Sequence, residues 1–295
     1  MTHIPTSTDN FRGILALLLS QALFVTSDSL IKMAGATLPA TQIMALRGVI
    51  ATALAASVLI MTVDRSRWRL ALQPMVALRA VLEAISAALF ILSLPHLTLA
   101  AITVLMQITP LTITLLSALV LGAHVGWRRW SAIITGFIGV LLVAQPGSES
   151  FSFYSITAIA VALIISVRDL ITRRLDPQIP TAAVTLSTTL SVCVLGFAGM
   201  PLQAWQPLGL SAMGLLAASA ILVTTANIFI IRAFRGVDVT VVSPFRYFGV
   251  LWGLLLSYMI WSDTPNLLAL AGMLLIVGSG LCTMHRESQR MRRSV

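Results

Sequence analysis

"VALRAVLEAISAALFIL", residues 76–92, is an apolar run broken by two opposite charges, Arg79 and Glu83, four positions apart. With its flanks it is long enough to cross a hydrocarbon layer of about 30 Å as a helix. How such a stretch carries charge depends on what surrounds it. Of 295 residues, 58% are hydrophobic and only 10% charged, and the mean hydropathy is +0.95. Soluble domains run at roughly half apolar and a quarter charged, so the chain reads as a membrane protein.

Apolar runs fall at 11–33, 39–63, 74–94, 98–121, 130–145, 154–175, 180–200, 207–231, 238–261 and 265–285, bounded by Pro, Gly or Arg, the third of them holding this stretch. They give an all-α expectation of ten transmembrane helices and leave no room for an aqueous domain. The 130–145 run is the shortest, and local thinning or polar flanks would let it span. Basic residues in short loops mark the cytoplasmic side. Arg65, Arg67 and Arg69, then Arg128 and Arg129, Arg173 and Arg174, Arg232 and Arg235, and the tail from Arg286 to Arg293 fall in every second connection. The alternate connections hold Lys32 and no other Lys or Arg. Both termini are therefore expected in the cytoplasm. The start lacks a short apolar core with a cleavage site, so 11–33 is expected to be a retained span.

Ten spans divide into halves of five, 1–147 and 148–295, and an odd number per half requires any repeat to be inverted across the membrane. "DSLIKMAGATLP" (28–39) and "DLITRRLDPQIP" (169–180) both place an acid eleven residues before a proline between the first two spans of a half. That is a trace of duplication.

Several function classes are disfavoured. The net charge of +9 is spread over loops rather than gathered in a basic stripe, so it reads as topology and not as nucleic-acid binding. No phosphate-binding loop surrounds the single lysine, Lys32, and no metal spacing joins His3, His96, His124 and His285. Hydrolase signatures are missing. Neither an enzyme nor a cofactor or metal site is expected. Cys193 and Cys282 are isolated in apolar runs, and packing is their expected role.

The informative residues are polar groups at membrane depth. At 1.5 Å rise per residue, Gln21, Glu83 and Arg246 lie roughly 12–14 Å from their nearest cytoplasmic boundary, and Gln107 and Arg47 reach comparable depth from the other side. Positions three and four apart share a helical face. Gln21, Phe24 and Asp28 thus form one stripe, Arg79, Glu83, Ser86 and Phe90 another, and Thr103, Gln107, Pro110 and Thr114 a third. Polar anchors among aromatic walls suit a cavity for a small amphipathic solute. A midplane carboxylate facing lipid is costly, so Glu83 must be paired, protonated or next to water. Three readings stay open: a pair with Arg79, a cavity-facing acid with Arg246 across from it, or a proton carrier. Asp28 and Arg47 are expected to form a structural ion pair. Arg168, adjacent to Asp169 and near the cytoplasmic end, is expected to extend toward the headgroups. Pro244 and Pro110 are kink candidates. Gly249 and Gly253 form a GxxxG pair expected to pack another helix closely.

With these features in view, the ten spans, the five-plus-five duplication and "SPFRYFGVLWGLLLSYMIWSDTP" (243–265) resemble the EamA group of the drug/metabolite transporter superfamily. The resemblance covers nearly the whole chain. Many relatives carry Gly-Glu after the fourth span, whereas this chain has Gly122, Ala123 and His124, so no role of that acid carries over. The likeness is strongest to bacterial exporters of aromatic and other neutral amino acids. It implies a helical basket around a cavity lined mainly by spans one, three, four, six, eight and nine, where Thr224 and Asn227 of span eight are expected to bond between helices.

The resulting expectation is a secondary transporter of the bacterial inner membrane, working by alternating access. Its substrate contacts would be Gln21, Phe24, Glu83, Ser86, Phe90, Gln107 and Arg246. Its partners are a small-molecule substrate and the lipid bilayer, with protons a candidate coupling ion. Efflux of cationic drugs, with Glu83 as sole anchor, is the alternative.

Overall fold

In the computed structural model of the protein, the structure describes residues 7–109, 111–112, 115–116, 127–144, 153–173, 175–176, 178–233, 245 and 247–293. All regular elements among them are helical: α1 (Ser7–Ala34), α2 (Ala40–Thr62), a 3-10 helix (Arg65–Leu72), α3 (Pro74–Ser93), α4 (Leu99–Met106), α5 (Trp127–Ala144), α6 (Phe153–Arg173), α7 (Thr181–Ala198), a short 3-10 turn (Met200–Leu202), α8 (Leu210–Ala233), α9 (Phe248–Trp261) and α10 (Leu267–Arg293). Among the described residues, six stretches are long and apolar enough to cross a membrane: Phe11–Ala34, Ala40–Thr62, Pro74–Ser93, Phe153–Thr172, Thr181–Leu202 and Leu210–Ile230. Ile134–Val143, Phe248–Trp261 and Leu267–Ser279 are shorter apolar stretches.

The helix starts follow from local chemistry. Proline fixes φ and lacks a donor, which suits a position where no intrahelical donor is needed. Pro39 and Pro180, the two prolines of the paired motifs, both sit in extended conformation at the N-cap, of α2 and α7 respectively. Pro74 opens α3. Regular winding of α4 breaks at Met106 with a turn at 107–108, and residues 109, 111–112 and 115–116 of the expected 98–121 span are helical again. A proline at 110 cannot donate to the carbonyl of residue 106 and its ring crowds that carbonyl. The connection after α2 is the exposed 3-10 helix carrying Arg65, Arg67 and Arg69, with Trp68 Nε1 donating to the Val63 carbonyl at 3.1 Å.

The chain forms two compact units, each drawing on both halves of the sequence. One comprises 27–97 and 153–224, the other 1–26, 98–152 and 225–295. In the first, α2 packs along α7, and α3 packs on both α6 and α7. Glycine makes the α2–α7 approach possible, since a Cβ on Gly196 would lie 2.4 Å from the Ala45 nitrogen and one on Gly48 2.7 Å from Cys193 Cα. Cys193 is buried there, in line with its expected packing role, whereas Cys282 is exposed. α3 shows how the faces divide. Val76, Ala80, Ala84 and Ile91 are buried, whereas Leu78, Val81, Ile85 and Leu92 are exposed. Alanines at the centre of the buried face, with large apolar residues outside, suit helices packed in lipid, where tight van der Waals contact replaces the hydrophobic drive. Segment 199–209 is fastened to the start of α2. Gln42 Nε2 donates to the Gln206 carbonyl at 2.8 Å, Gln206 N–H donates to Gln42 Oε1 at 2.9 Å, and Trp205 Nε1 donates to Thr41 Oγ1 at 3.1 Å.

In the second unit α10 packs along α5, and α9 along α4. Gly139 and Gly272 meet reciprocally, with a Cβ on either falling within 2.7 Å of the other's carbonyl oxygen. The first part of α1 runs against the end of α8, where Ser20 Oγ donates to the Ala226 carbonyl at 2.9 Å and Leu17 packs with Ala233.

Candidate functional site

The charge in α3 is resolved within the first unit. α3 and α6 run antiparallel, as the pairs Glu83 with Arg168, Arg79 with Thr172 and Ser93 with Thr157 show. Glu83, nine residues into α3 and so about 14 Å from its start, accepts from Arg168 Nη1 in an ion pair. The same guanidinium turns its other edge to Asp169, donating to Oδ1 from Nε at 3.0 Å and from Nη2 at 2.7 Å. One expectation is corrected here: Arg168 does not extend to the headgroups but curls back to the adjacent Asp169. The Cβ atoms of neighbours point apart on a helix, but a flexible arginine chain can curl back, and an acid within reach at membrane depth makes that favourable.

Arg79 makes no ion-pair contact with Glu83. It donates from Nε to Thr172 Oγ1 at 2.9 Å and from Nη1 to Thr188 Oγ1, tying α3 to α6 and α7. Arg79 and Arg47 both act on Glu83 through space. The expected Arg47–Asp28 pair is likewise not a contact. Arg47 Nη2 donates to Ser27 Oγ at 3.2 Å, and Asp28 acts on Arg47 at longer range. Arg47 Nε is buried with no hydrogen-bond partner. Ser27 also bonds Ser219 of α8, Oγ to Oγ at 2.9 Å. Three arginines (Arg47, Arg79, Arg168) and three acids (Asp28, Glu83, Asp169) thus lie on α1, α2, α3 and α6, equal in formal charge, with Arg168 making both ion-pair contacts.

The remaining candidates are placed as follows. Ser86 is buried and donates to the Glu83 backbone carbonyl at 2.9 Å; Phe90, further along α3, is half-buried. In the other unit, Gln21 and Phe24 are half-buried on α1, and Gln107 lies on the turn closing α4, its N–H donating to the Val104 carbonyl at 2.9 Å. The expected close approach at α9 is present. A Cβ on Gly249 would be 2.9 Å from Gln21 Oε1, and one on Gly253 2.9 Å from Thr103 Oγ1. Trp252, stacked with Phe248, donates from Nε1 to Thr26 Oγ1 at 3.1 Å. Thr224 bonds the Ala220 carbonyl of its own helix at 2.8 Å rather than another helix, because that carbonyl one turn back is always within reach. Arg246, Pro110, Thr114, Pro244 and the Gly122–His124 stretch lie outside the described residues.

Sequence reasoning missed Arg168 as the partner of Glu83. A signal was present. Aligning the two acid-to-proline motifs sets Asp169 opposite Asp28 and Arg168 opposite Ser27, marking Arg168 as a charge that the second copy adds on the span side of its acid.

Comparison with known proteins adds what geometry alone does not. Residues 11–145 match the EamA-like transporter family. Over those residues the chain is similar to an EamA-like transporter domain. The pseudopaline exporter of Pseudomonas aeruginosa is 27% identical to this chain over 272 residues, covering 90% of the chain and 93% of the exporter. An S-adenosylmethionine uptake transporter of Rickettsia felis is 25% identical over 62% of each chain. A riboflavin transporter of Rhizobium johnstonii is 24% identical over 73% of this chain and 71% of the relative. A solved crystal structure aligns with a TM-score of 0.62 at 21% identity, over 97% of this chain and 99% of that one, which shows a shared fold. The chain is a multi-pass membrane protein. Its relatives are transporters of small metabolites, which points away from an enzyme.

Proposed function

We propose that this protein is an exporter of the bacterial inner membrane that moves amino acids, aromatic and other neutral ones, or closely related metabolites by alternating access. Ten spans would form two inverted five-helix repeats, 1–147 and 148–295, with both termini cytoplasmic. Support for the repeat comes from the packing partners. α2 with α7, α4 with α9 and α5 with α10 each join a helix to the one five places on, as helices near a pseudo-two-fold axis would be.

The observation that carries the functional reading is the formally neutral charge cluster around Glu83. Its side chains are neither sealed nor free, with Glu83 24% and Arg168 17% accessible. Ionised groups at that depth tolerate water but not lipid, so the space they border is wet and open to a polar solute. Glu83, Ser86 and Phe90 on α3 are the proposed contacts in this unit. Gln21, Phe24 and Gln107 in the other unit, and Arg246, are the remaining candidates by their depth in the sequence. Protons are the candidate coupling ion.

The test is a panel of radiolabelled solutes in proteoliposomes containing only this protein, with and without an imposed pH gradient. Saturable phenylalanine or methionine flux, reduced at least about tenfold in Glu83→Gln, is the expected result. Flux of neither would sink the amino-acid reading, and gradient-independent flux would remove the proton.

A further inference from the structure

We propose that the Glu83–Arg168 ion pair is an internal stand-in for substrate: Arg168 Nη1 is a carboxylate subsite, occupied by Glu83 when the site is empty and surrendered to the carboxylate of an arriving zwitterion. The inference rests on the transporter reading and names the substrate chemistry for the same site. It adds Arg168, on α6, as the residue that selects.

Three features of the cluster lead to it. The first is the uneven use of the Arg168 fork. Its Nε/Nη2 edge is held on Asp169 Oδ1, one residue away, while Nη1 alone reaches across to α3. Asp169 therefore keeps the guanidinium oriented when Glu83 leaves, so releasing Glu83 does not strand the cation. The second is access. Glu83 and Arg168 are both partly reachable from outside the protein, and an ionised pair at mid-helix can border only water there.

The third is charge. Arg79 and Arg168 balance Glu83 and Asp169 across α3 and α6. A zwitterion that gives its carboxylate to Arg168 and its ammonium to the released Glu83 leaves this balance unchanged. A simple anion would leave Glu83 unpaired, and a simple cation would have to compete with Arg168 for it. Uncompensated charge in a poorly solvated site is strongly disfavoured, so the cluster discriminates by net neutrality as well as by shape. Arg79 does not take the place of Arg168, because its bonds from Nε to Thr172 and from Nη1 to Thr188 turn its guanidinium toward α6 and α7 away from Glu83.

The deciding experiment is ligand binding by thermal shift on the purified full chain in detergent. The probes are L-phenylalanine, its anionic analogue 3-phenylpropionate and its cationic methyl ester. Wild type should prefer phenylalanine to either analogue by about tenfold or more, the scale of one lost bond to a charged group. Glu83→Gln should reverse the order. The internal competitor is gone, Arg168 Nη1 is free, and 3-phenylpropionate now restores neutrality, so it should bind about tenfold more tightly than to wild type while phenylalanine weakens. Arg168→Gln should lose both. A merely structural ion pair would lower the stability of both variants without inverting any preference.

The proposal is overturned if Glu83→Gln binds 3-phenylpropionate no better than wild type does, or if Arg168→Gln retains wild-type affinity for phenylalanine. Arg168→Lys keeps the charge and loses the fork, and serves if Glu83→Gln does not fold. Unchanged phenylalanine affinity in that variant overturns the proposal as well, and an about tenfold loss supports it. Absence of phenylalanine flux in wild type would defeat the amino-acid reading, yet the response of 3-phenylpropionate to Glu83→Gln would still decide this one.

Discussion

Replacing Gly196 by alanine tests the packing that brings both halves of the sequence into one unit. A Cβ at this position would stand 2.4 Å from the Ala45 nitrogen, 2.8 Å from Ala45 Cα and 2.9 Å from the Met44 carbonyl carbon. All three are backbone atoms of α2, so no side chain can turn aside. Carbon atoms rest at about 3.5–4.0 Å, which means that α2 and α7 must separate locally by about 1 Å. That separation weakens the neighbouring contacts of the same seam, at Gly48 against Cys193 and Gly199 against Thr41. Overpacking of this kind costs about 1–3 kcal/mol. Alanine returns up to about 1 kcal/mol because glycine is the poorer helix former. The net expectation is a loss of about 1–2 kcal/mol, or roughly 2–8 °C in Tm for a chain of this size. Gly214 on α8 is the control, since a Cβ there meets nothing within 4 Å. Gly214→Ala should be neutral or stabilising by up to about 1 kcal/mol. Thermal unfolding of the detergent-solubilised protein measures both. A Gly196→Ala protein as stable as wild type, or an equal drop in both variants, would refute the close-approach argument.

Gly253→Val should weaken the seat of α9 on α4, because Thr103 atoms stand 2.9–3.2 Å from the added Cβ; a fall in Tm of several degrees is expected, and an unchanged Tm would contradict it. Trp252→Phe removes the 3.1 Å bond to Thr26 while keeping the stack on Phe248, and should cost about 0.5–1.5 kcal/mol in the same assay. Gln42→Leu leaves both backbone groups of Gln206 without their partner. It should cost about 1–3 kcal/mol and speed limited proteolysis within residues 199–209, whereas an unchanged cleavage rate would show that the clasp is dispensable.

How much was legible before any coordinates can be judged residue by residue. The motif prolines Pro39 and Pro180 were recognisable because proline acts on its own backbone, and both open helices where expected. The GxxxG of Gly249 and Gly253 was recognisable because four residues bring the helix back to the same face, and that face is in close contact. The α2–α7 glycines, 48 and 196, escaped notice. They do not share a helix, and only their approach to Cys193 and Ala45 reveals their role. The break after Met106 falls four residues before Pro110, which the sequence marks as a kink candidate.

Apolar length and the density of charge are properties that each residue contributes locally, and they add along the chain. By itself, then, the order of amino acids was enough to choose lipid as the solvent, to space most of the helices and to require that Glu83 have company. Which company was settled only by the fold. Arg79 is one helical turn from Glu83 and Arg168 is 85 positions away, yet Arg168 makes the pair. The choice turns on the direction in which each helix points its side chains, which shifts by about 100° per residue, and on which neighbour packing sets alongside α3. Those quantities exist only once α6 and α7 are in place, with Thr172 and Thr188 drawing Arg79 away.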